Sequence, residues 1–207
     1  MAITVKSNGG GGIKVFIDDV LYKKDLKLES IIHIDMVAIP YDFQDGQSVV
    51  FNDEIHLMGS SSSGNRTGHY KYDGVNWTNL GTLPYSFYDG SAIVFNNEIH
   101  LLGGSGSSTI HYKYNGSTWT NLGNIPTYIQ EGVALVYDDK IHQLGSEYNH
   151  NYYATIHYIY DGTSWVRTDD LAHNFYEGGA VVFKSGIHLF ENFNHWAENI
   201  TIYREVL

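Results

Sequence analysis

Three residue types in this sequence could do chemistry, and each recurs at regular spacing. Histidine follows isoleucine at Ile55-His56, Ile99-His100, Ile141-His142 and Ile187-His188, and stands again at His69, His111 and His157. A carboxylate precedes the glycine that opens an apolar run at Asp45, Asp89, Glu131 and Glu177. Aromatic side chains crowd the segments just upstream: Tyr41 and Phe43, Tyr85 with Phe87 and Tyr88, Tyr128, and Phe175 with Tyr176. Tyr148, Tyr152 and Tyr153 lie beside Asn149, His150 and Asn151. Three chemistries are on offer: metal ligation by imidazole, cation binding by carboxylates, and recognition of sugars or peptides on aromatic faces.

Spacing narrows these. Residues repeated in every unit of a repeat protein occupy equivalent, dispersed places, so the seven repeated histidines read as packing or hydrogen-bonding groups. His33, His150, His173 and His195 form no ligand pattern, and no metal site is expected. The four carboxylates differ. If the strand that follows each one lines a common axis, they ring one mouth of a channel, where they could hold a cation through oxygen. The competing role is local, each carboxylate accepting from backbone N–H groups of its own loop. Among the aromatics, Phe43, Phe87, Ile129 and Phe175 share one repeat column and read as core. That leaves Tyr88, Tyr176, Tyr148, Tyr152 and Tyr153 as candidate ligand-binding residues.

Nothing in the sequence assembles a reaction centre, and no enzyme is expected. No cysteine is present, which excludes thiol nucleophiles, disulfides and cysteine-held metals. The only arginines, Arg66, Arg167 and Arg204, fall at unrelated repeat positions, and no Ser–His–Asp order or phosphate-cradling loop stands out. No cofactor is implied.

The elements that must position these residues follow from the repeat. Gly46–Phe51 recurs as Gly90–Phe95, Gly132–Tyr137 and Gly178–Phe183, and His69–Gly74 recurs as His111–Gly116 and His157–Gly162. Trp77, Trp119 and Trp165 close the full units at spacings of 42 and 46 residues. Each unit reads as four short strands. The first is almost wholly apolar, and Asn52-Asp53, Asn96-Asn97 or Asp138-Asp139 turns it into the second. The third ends at an Asp-Gly or Asn-Gly turn, and the fourth carries the tryptophan. One such sheet cannot bury both faces alone; stacking sheets about an axis solves this and gives a β-propeller.

The units resemble the kelch repeat. The likeness rests on the buried run ending in Phe95, on Ile99-His100-Leu101-Leu102-Gly103-Gly104, on Tyr112 and Tyr114, and on Trp119, and it spans about Tyr41 to Leu207. The double glycine is complete only at Gly103-Gly104 and is lost at Phe190-Glu191. The expected fold is an all-β, small kelch-like β-propeller of four blades. The fourth unit has two clear strands and a third at Ile200–Tyr203, aligned with Ile110–Tyr112, but no tryptophan strand. Pro40 matches Pro84 and Pro126, so the apolar segment Ile31–Ile34 is expected to supply the missing strand and close the last blade with the N-terminus. Pairing of strands between chains is the alternative. Two domains follow: residues 1–29, an arm with a Gly9–Gly12 hinge and an extra hairpin at Ile13–Ile17 and Val20–Tyr22, and residues 30–207, the propeller.

The balance of 12 Lys+Arg against 23 Asp+Glu gives a net charge of −11, which disfavours a nucleic-acid partner. The N-terminus shows no signal peptide, and no apolar run is long enough to span a membrane, so a soluble protein without membrane insertion is expected. The repeat wording, Leu83-Pro84-Tyr85 through Ile99-His100, is similar to kelch-type repeats in tail-associated proteins of phages that infect Gram-positive bacteria. That resemblance implies a virion component: a structural or adhesion protein, homo-oligomeric within an assembly, bound to other virion proteins through residues 1–29 and outward to a host-surface glycan or protein. The alternative is a free carbohydrate-binding or glycan-hydrolysing propeller, with Glu131 and Glu177 as its carboxylates.

Overall fold

The computed structural model describes residues 3–8, 12–17, 20–27, 37–104, 109–146, 155–175, 177–193 and 197–203, with side chains from 37 to 190 within these spans. The chain divides into two units, Met1–Ala38 and Ile39–Leu207.

The first unit is an antiparallel meander of β1 (Ile3–Asn8), β2 (Gly12–Ile17) and β3 (Val20–Lys27). The expected hairpin is β2–β3, and β1 adds a strand that sequence reading left in the arm. Gly12, expected within a hinge, opens β2 and pairs with Asn8; residues 9–11 lie outside the described residues.

The second unit holds four antiparallel sheets, each a meander in chain order. Sheet I is β4 (Gln47–Phe51), β5 (Glu54–Met58), β6 (Gly68–Tyr72) and β7 (Trp77–Thr82). Sheet II is β8 (Ser91–Phe95), β9 (Glu98–Leu102), β10 (Ile110–Tyr114) and β11 (Trp119–Asn124). Sheet III is β12 (Val133–Tyr137), β13 (Lys140–Leu144), β14 (His157–Tyr160) and β15 (Trp165–Arg167). Sheet IV has three strands, β16 (Gly179–Phe183), β17 (Gly186–Phe193) and β18 (Ala197–Tyr203). No helix occurs among the described residues, and none is long and apolar enough to cross a membrane.

Turn chemistry sets the registers. Asn52 and Asp53, Asn96 and Asn97, and Asp138 and Asp139 all have positive φ, as two-residue hairpins of the primed type require. They bring Phe51 opposite Glu54, Phe95 opposite Glu98 and Tyr137 opposite Lys140. The Asp-Gly turns are longer than a tight hairpin. The Asp73 carboxylate accepts from the N–H groups of Val75 at 2.8 Å and Asn76 at 2.7 Å, closing a four-residue loop. Asn115 and Asp161 repeat the arrangement.

The sheets stack in sequence, β4 beside β8, β8 beside β12 and β12 beside β16. Three apolar clusters fill the interfaces. Phe51, Met58, Phe87, Ile99 and Leu101 lie between sheets I and II; Phe95, Leu102, Ile129 and Ile141 between II and III; and Leu144, Phe175, Ile187 and Leu189 between III and IV. Phe87, Ile129 and Phe175 are fully buried, as expected of that column, whereas Phe43, ahead of sheet I, is half-buried.

The two ends of the stack are not joined among the described residues. Val50 on sheet I is 67% exposed and Phe183 on sheet IV is 57% exposed, whereas their internal counterpart residues are covered. The expected closing strand at 31–34 lies outside the described residues. Sheet IV also departs from the repeat. Where the others turn at glycine, Phe190-Glu191 lets β17 run on to Phe193, eight residues against five in β5, β9 and β13. Its third strand is offset from the expected alignment: Tyr203 pairs with Ile187 as Tyr114 pairs with Ile99, so Tyr203 takes the register of Tyr114 and not of Tyr112.

Candidate functional site

The four acidic positions converge. Asp45, Asp89, Glu131 and Glu177 line one cavity of about 460 Å³, together with Gln47, Gly90, Gly132 and Gly178. Each stands one glycine before its inner strand, so the stacking that aligns the first strands also aligns the acids. All four have positive φ, between 50° and 57°. This conformation is unfavourable for a glutamate, and a backbone interaction holds it. The N–H of Asp89 donates to the carbonyl of Asp45 at 2.9 Å, that of Glu131 to Asp89 at 2.8 Å, and that of Glu177 to Glu131 at 2.9 Å. A belt of main-chain bonds thus links the four loops, each step crossing from one sheet to the next.

The main chain of each acid makes the repeated bond. At the Asp45 end of the mouth the carboxylate also accepts from Ser61 Oγ at 2.7 Å, a serine of the loop between β5 and β6. Among the described residues no group of three or more His, Asp or Glu side chains is arranged to hold a metal ion.

Of the aromatic candidates, Tyr88 sits next to Asp89 and is half-buried, with the Arg66 guanidinium 5.3 Å from its ring centre. One face of the ring thus carries a cation. Tyr148, Tyr152, Tyr153 and Tyr176 lie outside the described residues.

The histidines form a second constellation, in the sheet interfaces. Nδ1 of His56 lies 3.0 Å from Nε2 of His69, Nδ1 of His100 2.8 Å from Nε2 of His111, and Nδ1 of His142 2.9 Å from Nε2 of His157. All six imidazoles are buried. Strand pairing explains this: β5 and β6 put His56 and His69 on one face one register step apart, and the other sheets copy the geometry. In sheets I and II the next sheet covers the pair with a tyrosine and a tryptophan. Tyr114 and Trp119 pack on His69 with ring centres 5.0 and 5.5 Å away, and Tyr160 and Trp165 pack on His111 at 4.9 and 5.5 Å.

The bonds fix the tautomers. Trp165 Nε1 donates to His111 Nδ1 at 3.2 Å, so His111 carries its proton on Nε2 and donates to His100 Nδ1. In sheet III the chain ends on the backbone, His142 Nε2 donating to the Tyr137 carbonyl at 3.2 Å. Such a chain needs every ring neutral. Burial pushes the His69 and His111 imidazoles down to about 3, and His100 and His157 to about 4. The repeated histidines are thus packing and hydrogen-bonding groups, as their spacing implied. Their pairing within a sheet was legible only once the third strand's register was known.

No protein-family model matches the chain, and no curated protein matches it. Among solved structures, one described as "Structure of YjhT" matches with a TM-score of 0.63 at 15% sequence identity, over 73% of this chain and 57% of that one. The chain spans little more than half the length of that neighbour, and the likeness is one of fold.

Proposed function

We propose that this chain is a non-enzymatic structural or adhesion module of a phage virion, a tail-associated kelch-like propeller that binds a surface ligand. The observation that carries this reading is where the repeated polar residues go. Imidazoles bond to each other and receive indoles and tyrosines from the next sheet, and the acids tie loop to loop through their main chains. Groups that could have made a reaction centre hold the stack together instead. What faces outward is an acidic mouth edged by aromatic loops, which suits recognition. The virion assignment is further supported by the wording of the repeat, and the separate N-terminal three-stranded unit suits attachment to a larger particle.

Immunogold labelling of purified particles with an antibody against residues 39–207 tests it. Label at the tail, together with binding of the fluorescent protein to host cells, is the expected result. Chain found in the lysate but not on particles overturns the virion reading. Turnover of a host polysaccharide, lost in Glu131→Gln, would establish the hydrolytic alternative.

A further inference from the structure

Two of the internal interfaces, sheet I with II and sheet II with III, are each built from two halves. The trailing half is a phenylalanine edge-on to a histidine: Phe51 on His56 and Phe95 on His100, both with ring centres 5.6 Å apart at 71°. The leading half is a tyrosine packed on a tryptophan in the next sheet: Tyr114 with Trp119 at 4.9 Å and 33°, and Tyr160 with Trp165 at 5.0 Å and 34°. Joined, these halves bury Phe51 to 3% exposure and Phe95 to 4%.

The chain's ends carry one unmatched half each, both already formed. Sheet I begins the stack with a leading half, Tyr72 on Trp77 at 4.9 Å and 32°. The Trp77 indole N–H is buried and has no acceptor among the described residues, where the same atom of Trp165 has His111. Val50 and Ile55 lie on the same face and are exposed; Val94 and Ile99, their counterparts in sheet II, pack into the interface with sheet I. Sheet IV ends the stack with a trailing half, Phe183 on His188 at 5.6 Å and 71°, beside exposed Val181 and Phe190. Exposed apolar faces of this kind mark interaction sites.

We propose that a second copy of this chain docks head to tail, the leading face of its sheet I on the trailing face of sheet IV. The join repeats the phenylalanine–histidine and tyrosine–tryptophan halves of the I–II and II–III interfaces, at matching ring distances and angles. It is a heterologous contact, two different patches meeting. It is also weaker than the internal joins. At the register of His69, His111 and His157, opposite Phe190, the fourth sheet has Ile200, so no histidine stands there to accept from Trp77. Association should therefore depend on concentration. This inference does not rest on the virion assignment.

Sedimentation velocity of the full chain, with Val50→Asp and Phe183→Asp as exposed-site variants, tests it. The wild type should gain mass as concentration rises through the micromolar range. Each variant alone should stay monomeric with unchanged circular dichroism and melting temperature. An equimolar mixture of the two should regain association, because one variant keeps its tail and the other its head. A wild type that stays monomeric throughout overturns the proposal, whether its ends close on each other or await a different protein. Variants that associate like wild type, or a mixture that stays monomeric, overturn it as well.

Discussion

His111 accepts a hydrogen bond from Trp165 of the next sheet on one ring nitrogen and donates to His100 of its own sheet with the other. One imidazole is thus both a link within a sheet and a link between sheets. Removing it leaves a buried indole N–H without its acceptor and His100 without its donor. His111→Ala should destabilise the four-sheet unit by about 2–4 kcal/mol, combining a cavity with unsatisfied polar groups. Trp165→Phe, which removes the bond but keeps an aromatic ring, should cost nearer 1 kcal/mol. Urea denaturation of both variants and of the double variant gives the coupling, expected within about 0.5–3 kcal/mol. Additive losses would show that the bond contributes nothing.

The same layer predicts acid sensitivity. Burial lowers the imidazoles first, and neighbouring imidazoles lower His69, His111 and His157 further. The unfolded chain takes up these protons near pH 6.5, while the folded chain resists to about 4 or about 3. Between those limits the unfolded state binds more protons, so stability is full above pH 6.5 and falls as pH falls. Each unit of separation is worth about 1.4 kcal/mol, and a domain has only about 5–15 kcal/mol in all. Tryptophan fluorescence against pH should show unfolding with a midpoint between the free-imidazole value and about 4. Stability that stays flat from neutral pH down to 4 would exclude neutral buried pairs.

Two glycines with positive φ should answer differently to alanine. At Gly59 an added Cβ would stand 1.8 Å from the Phe87 carbonyl oxygen, where the loop into sheet II crosses the end of sheet I. At Gly81 nothing lies within 4 Å. Gly81→Ala should cost about 1 kcal/mol, from backbone conformation alone. Gly59→Ala must also push two main chains apart, and a loss above about 4 kcal/mol or failure to fold is expected. Equal melting temperatures for the two variants would contradict the crossing.

The acidic mouth should be better off with less acid. Glu177 has φ of 50° and is exposed, and its ordered bond to Glu131 belongs to the backbone. Glu177→Asn keeps that N–H, relieves the left-handed strain and removes one of four like charges around the cavity. Stability should rise by about 0.5–1 kcal/mol in chemical denaturation at low salt, with the gain shrinking as salt screens the remaining charges. A loss on substitution would assign the carboxylate a structural bond of its own.

What the sequence discloses and what it hides divide along range of interaction. The two-residue turns at Asn52-Asp53 and Asn96-Asn97, the apolar inner strands and the buried Phe87 column follow from local pattern, and the structure has them. The acids were visible as a column, but their left-handed backbone and the belt from Asp45 to Glu177 join residues a full repeat apart, beyond any local signal. The turn at Asp73-Gly74 follows from local pattern too, but its four-residue length does not, because the aspartate side chain caps two N–H groups beyond the glycine. The open ends were hidden for another reason: Val50 and Val94 occupy the same place in the same motif, and only the presence or absence of a neighbouring sheet distinguishes them.

The belt has one more consequence. Every step joins an N–H to a carbonyl on the same kind of residue, so the joint is indifferent to which repeat precedes which. An in-frame excision of Gly90 through Glu131 would leave Asp89 joined directly to Gly132, and the Glu177 N–H would meet the Asp89 carbonyl in place of the one it lost. Gene duplication or deletion in whole periods can therefore lengthen or shorten such an array without redesigning a single junction. Only its two terminal units must be individually fitted to what lies beyond them.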